Sequence, residues 1–204
     1  MMKSVVGNGQ QFKAAYILPL VEIDDHEVGV LFLHRQDPVI DSAGNELYPA
    51  GVLDLPGGTI DKVSDRYEDP PQAAMREFQE ETGLVADKAQ LVPIVSFKSV
   101  DMRYVQYYGY PITQEEMNQV TVCNGEHNGF VLVRERDIPD LIRRNEILDI
   151  HADVALYWLT GEPDLNGRDF HLDTKIRAWW TSEIGKMTRS SVEAEYRRFP
   201  ASGE

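Results

Sequence analysis

The stretch Arg76-Glu77-Phe78-Gln79-Glu80-Glu81-Thr82-Gly83-Leu84 decides how this chain is read. It spaces three carboxylates, Glu77, Glu80 and Glu81, at i, i+3 and i+4. On an α-helix those positions share one face. Three like charges there repel one another unless something positive sits among them. A divalent cation fits that role, and hard oxygen ligands favour Mg²⁺ or Mn²⁺ over a thiolate-loving metal.

The flanking residues support the helix. Pro70 and Pro71 stand where a first helical turn tolerates proline, with Asp69 before them as a cap. Gly83 is a natural left-handed terminator, so the spacing predicts a helix over about 71–82. Ala74 and Phe78 fall off the acidic stripe and can pack on a sheet while the acids face a cleft.

Further out, Phe12–Leu20 and Val28–His34 read as strands on either side of a polar turn at Glu22–Glu27. Asp37–Gly51 reads as a loop, followed by a short strand at Val52–Leu55 that ends in Pro56-Gly57-Gly58. Thr59–Asp69 reads as a polar loop. Leu91–Val100, Tyr104–Ile112 and Phe130–Val133 are predicted strands, and Asp137–Leu148 and Ile150–Leu159 predicted helices. Beyond a link at Gly161–Gly167, Asp173–Arg198 carries Ile176, Trp179, Trp180, Ile184, Met187, Val192 and Tyr196 at helical spacing. That stripe reads as core anchors and suggests a homodimer. The order of elements predicts an α/β or α+β fold with a mixed sheet.

The residues around the acidic stripe spell a resemblance. Glu68, seven residues, then Arg76-Glu77-Phe78-Gln79-Glu80-Glu81-Thr82-Gly83-Leu84 resembles the Nudix box at every fixed position of that portion. Leu55-Pro56-Gly57-Gly58 looks like the family's glycine turn. One departure stands out: nine residues separate Gly58 from Glu68 where the family has five, a four-residue insertion. Asp61 or Asp65 could share the role of Glu68. Downstream, Glu126-His127-Asn128-Gly129-Phe130 resembles the Glu-His-x-x-aromatic segment before a late strand of the family.

The resemblance implies an α/β/α sandwich with a mixed β-sheet over residues 12–160, and a C-terminal helical extension over 161–204. It implies a hydrolase that cuts a pyrophosphate bond in a nucleoside diphosphate linked to another moiety. The metal ligands it implies are Glu77, Glu80 and Glu81, with the Gly57 carbonyl and Glu126. Arg76 would hold carboxylates in place by charge-assisted hydrogen bonds. Glu77, Glu80, Glu81, Arg76 and Glu126 form the catalytic set, and Gly58, Glu68 and Gly83 are motif residues. His127 reads as structural or substrate-side. The alternative is a Nudix-like module that senses a nucleotide without hydrolysing it. The positions where some subgroups carry a substrate mark read Ser99-Val100-Asp101-Met102 and name no substrate. The cluster Tyr104, Tyr107, Tyr108 and Tyr110 reads as strand packing rather than a base-stacking platform.

Composition narrows the setting. The 204 residues carry 34 acidic and 20 basic side chains, a formal charge of −14. Such a surface disfavours long nucleic acid, whose phosphates need a basic footprint. No apolar run approaches the ~20 residues of a membrane helix. The polar start Met1–Gln11 lacks a hydrophobic signal core, and Cys123 is the single cysteine. These features lead us to expect a cytoplasmic protein.

Overall fold

The computed structural model describes residues 12–24, 27–40, 44–98, 103–122, 125–144 and 146–148, together with His151, Val154, Ala155, Trp158, Phe170 and His171. Its strands and helices run β1 (Phe12–Asp24), β2 (Glu27–Arg35), β3 (Val39–Ile40), β4 (Glu46–Tyr48), β5 (Leu53–Asp54), β6 (Gly57–Thr59), β7 (Lys62–Val63), β8 (Arg66–Tyr67), α1 (Pro70–Thr82), β9 (Val92–Lys98), β10 (Tyr104–Ile112), α2 (Gln114–Met117), β11 (His127–Arg134), α3 (Ile138–Arg143) and β12 (Phe170–His171).

One mixed sheet of eight strands organises the chain in the order β11-β2-β1-β10-β9-β12, with β5 beside β2 and β6 beside β1. The β1–β10 pair is parallel, and its neighbours β1–β2 and β10–β9 are antiparallel. The central strand β1 is apolar almost throughout because both of its faces are covered. Ile17 and Val21 join α1 residues Ala73, Ala74 and Phe78 on one face. Leu18 and Leu20 join Ile138, Ile147, Val154 and Trp158 on the other. Helix, sheet and helical segment thus stack as the expected α/β/α layers. Phe78 meets Tyr110 of β10 edge-on, with ring centroids 5.7 Å apart. Burying that ring is worth roughly 2–3 kcal/mol and sets the rotation of α1.

The predicted strands of 12–20, 28–34, 104–112 and 130–133 and the α1 helix form, some with extended ends, while that of 91–100 forms over Val92–Lys98, with 99–100 outside the described residues. The polar turn shrinks because β1 continues to Asp24 and β2 begins at Glu27. The loop of 37–51 contains the β3–β4 hairpin, and the polar loop of 59–69 contains the β7–β8 hairpin. The predicted helix of 137–148 needs correction: α3 ends at Arg143. Past it the chain runs beside β5, where Leu53 donates to Glu146 and accepts from Leu148. Pairing of the Leu53 backbone across the chain outcompetes continuation of the helix. His151, Val154, Ala155 and Trp158 are helical and buried. The expected helix of 173–198, and with it the homodimer suggestion, lies outside the described residues. Among the described residues no helix is long and apolar enough to cross a membrane.

Candidate active site

Helix α1 brings the acidic stripe to the end of the sheet where β5 turns into β6. Gly83 ends the helix in the left-handed conformation, at φ 74°, with its N–H donated to the Gln79 carbonyl. The turn Pro56-Gly57-Gly58 runs beside the stripe. Gly57 sits at φ +149°, and a Cβ there would lie 2.5 Å from the Ala15 carbonyl oxygen and from Tyr16 Cα on β1. Only glycine combines that backbone angle with that approach. Its N–H donates to Glu81 Oε2 at 2.8 Å, tying turn to helix.

The three acids of the stripe do not behave alike. Glu81 is buried, Glu77 partly buried and Glu80 exposed. Burial pushes the Glu81 carboxyl up to about 8; the Gly57 N–H opposes the shift, while the charges of Asp54, Glu77 and Glu126 add to it. Burial likewise raises Glu77, against the pull of Arg76. Glu126 is exposed at the entry to β11, and its charge reaches both Glu81 and Arg35.

Arg76 gathers the remaining carboxylates. Its guanidinium lies 2.9 Å from Glu77 Oε1, 3.1 Å from Glu80 Oε2, 3.1 Å from Glu68 Oε2 and 3.5 Å from Asp61 Oδ2. It also donates to the Thr59 carbonyl at 3.0 Å. The hydrogen bond to Glu68 leads the interactions that raise its pKa. Glu68 also accepts the Asp61 N–H, closing the base of the β7–β8 hairpin. The residues between Gly58 and Glu68 therefore form a small hairpin whose closing acid is held by Arg76.

Gly58 makes room for Glu77. A Cβ on Gly58 would sit 2.7 Å from Glu77 Oε1 and 2.8 Å from its Cδ. Gly58→Ala is therefore expected to push the Glu77 carboxylate aside with the fold intact. If Glu77 serves turnover, kcat falls by about 10²-fold, the scale of an ångström misplacement. Steady-state kinetics beside a melting curve checks this; unchanged kcat would separate Glu77 from the chemistry.

Behind Glu81 lies a polar cluster that sequence reading missed. Asp54 on β5 is buried, with Arg35 Nη1 at 2.6 Å and His151 Nε2 at 2.7 Å. His127 Nε2 lies 3.7 Å from the same carboxylate. Burial alone would raise the Asp54 pKa, but the interactions with His151, His127 and Arg35 outweigh it and hold the carboxyl well below the usual range. His151 Nδ1 stands 3.2 Å from the Tyr107 hydroxyl, and Tyr107 stacks on Tyr16. Tyr107, Tyr108 and Tyr110 are buried in the core, in keeping with strand packing. The apolar run Val52-Leu53-Asp54-Leu55 contains one acid, which was the available signal for this cluster.

Among the described residues, no three His, Cys, Asp or Glu side chains already surround a single point as ligands would. Arg76 instead engages Glu77 and Glu80, and Gly57 engages Glu81. The donor set nonetheless fits a hard divalent cation. It is all oxygen, burial raises the proton affinity of two of its carboxylates, Glu81 and Glu77, and the bare Gly58 leaves space for one of them.

A NUDIX domain model matches residues 12–149. The chain belongs to the Nudix family. This Nudix protein is accordingly a hydrolase acting on phosphoanhydride bonds. Two solved structures show the shared fold. A mutT/nudix family protein from Listeria innocua is 15% identical, with 94% of this chain and 100% of that one covered at a TM-score of 0.51. A NUDIX hydrolase from Alicyclobacillus acidocaldarius is 14% identical, with 77% and 95% covered at a TM-score of 0.51. No curated protein sequence matches the chain.

Proposed function

We propose that this Nudix hydrolase is Mg²⁺- or Mn²⁺-dependent and cuts a pyrophosphate bond in a nucleoside diphosphate linked to another moiety. The observation that carries the reading is the placement of the box carboxylates. Glu81 is fixed by the Gly57 N–H, with Glu77 beside it over the bare Gly58.

Glu77, Glu80 and Glu81 would hold the cation, joined by the Gly57 carbonyl and Glu126. A divalent ion there would neutralise the diphosphate, polarise a phosphoryl oxygen and make water a better nucleophile. Arg76 keeps Glu77 and Glu80 on one side of the helix and ties them to the β7–β8 hairpin through Glu68. The proton of the attacking water passes to a carboxylate of this cluster, the ordinary role of a positioned acid–base group. Apart from the motif, the acidic surface keeps the protein from long nucleic acid and suits a small ligand whose charge the cation offsets.

A panel of nucleotides, nucleotide sugars and dinucleoside polyphosphates tests the reading. Phosphate or nucleotide release is expected with Mg²⁺ or Mn²⁺. It is expected to vanish with EDTA and return when the ion is restored in excess. Glu80→Gln is expected to weaken the response to the ion. Tight nucleotide binding without turnover on any panel member would replace hydrolysis by sensing. Turnover unaffected by EDTA would remove the metal from the mechanism.

A further inference from the structure

His127 begins β11, where the register sets it opposite Arg35 of β2, while Asp54 of β5 pairs with Leu33 on the same strand. Two edges of β2 thereby converge on one buried point. The His127 side chain is buried there, with each ring nitrogen turned to a different carboxylate. Nδ1 lies 3.5 Å from Glu81 Oε1, and Nε2 lies 3.7 Å from Asp54 Oδ2. The other Glu81 oxygen already accepts the Gly57 N–H. Asp54, for its part, is pinned by Arg35 and His151.

We propose that His127, lying between Asp54 and Glu81, is a positioning residue that orients the Glu81 carboxylate for its work in the site. The chain of contacts runs from the helical residue His151, through Asp54 and His127, to Glu81 on α1. Groups around a ligand carboxylate of this kind fix its direction and tune its affinity. The inference rests on the proposed reading that Glu81 serves a metal-dependent hydrolysis.

Two amides separate the two ends of the ring. The asparagine side-chain nitrogen stands close to where Nδ1 stands, so His127→Asn keeps a donor toward Glu81. Glutamine reaches to where Nε2 stands, so His127→Gln keeps the contact toward Asp54 instead. The experiment measures Mn²⁺ binding by calorimetry on the substrate-free protein, together with kcat, KM and the melting curve. His127→Ala is expected to weaken Mn²⁺ binding and lower kcat, each by about 10–100-fold, with KM for the nucleotide little changed. His127→Asn is expected to recover most of both losses, and His127→Gln little of either. Should His127→Ala fail to fold, the comparison of the two amide variants decides alone. Mn²⁺ affinity unchanged in His127→Ala, or equal recovery by Asn and Gln, would overturn the positioning role. If the parent protein turned over no nucleotide while the Mn²⁺ pattern held, the hydrolase reading would fall and the positioning role would stand.

Discussion

Glu81→Gln is expected to lower kcat by about 10³-fold and to leave the melting temperature at or above that of the parent protein. The size follows from the proposed role of Glu81 at the reacting centre, where one acid–base or charge-stabilising contact commonly carries 10²–10⁴ in rate. The second half of the expectation comes from burial. The Glu81 carboxyl lies among Asp54, Glu77 and Glu126, and burial disfavours its charge. Glutamine removes that charge, keeps the length of the side chain and keeps an oxygen for the Gly57 N–H. Loss of activity would thus come without loss of fold. Kinetics at saturating Mg²⁺ beside a thermal melt checks both halves. Equal activity would strip Glu81 of its role, and a large fall in melting temperature would make it a structural acid.

Asp54→Ala is expected to have the largest effect on stability, a loss of about 3–5 kcal/mol. The carboxylate is 6% exposed and is held by Arg35 and His151, with His127 near. Truncation leaves the charge of Arg35, which is 25% exposed, without its main partner. It also removes the acceptor that faces two buried imidazoles. Removing one member of a buried charged network costs more than the network contributes as a whole, because the remaining groups stay desolvated. Asp54→Asn keeps the shape and two polar atoms, so it should cost less than the alanine change. Urea titration of the three proteins measures the series. A loss below about 1 kcal/mol for alanine would mean that water reaches the cluster and replaces the carboxylate.

The box helix was legible because its information is local. Asp69, Pro70, Gly83 and the carboxylate spacing all lie within one segment, and each has a short-range physical meaning. The long strands were legible for the same reason, through the apolar runs of Phe12–Leu20 and Val28–His34. What escaped depends on pairing across the chain. The early end of α3 follows from Leu53 bonding to Glu146 and Leu148, nearly a hundred residues away in sequence. The two hairpins inside apparent loops are two- and three-residue strands with no room for a periodic signal. The Asp54 cluster draws Arg35, His127 and His151 from three separate segments, so nothing in any one of them reveals it. Of the candidate site, the sequence named Arg76 and its acids. It could not show that Arg76 engages Glu77 and Glu80 while Gly57 engages Glu81.

Hydrolysis in water labelled with heavy oxygen tests the site most directly, using a nucleoside diphosphate derivative that the parent protein turns over. A single labelled oxygen is expected in a product phosphate for each bond cut, only with Mg²⁺ or Mn²⁺ present. Incorporation by Glu81→Gln is expected to fall by about 10³-fold. Equal labelling with EDTA present, or equal labelling by Glu81→Gln, would contradict a metal-dependent attack supported by the carboxylates of α1.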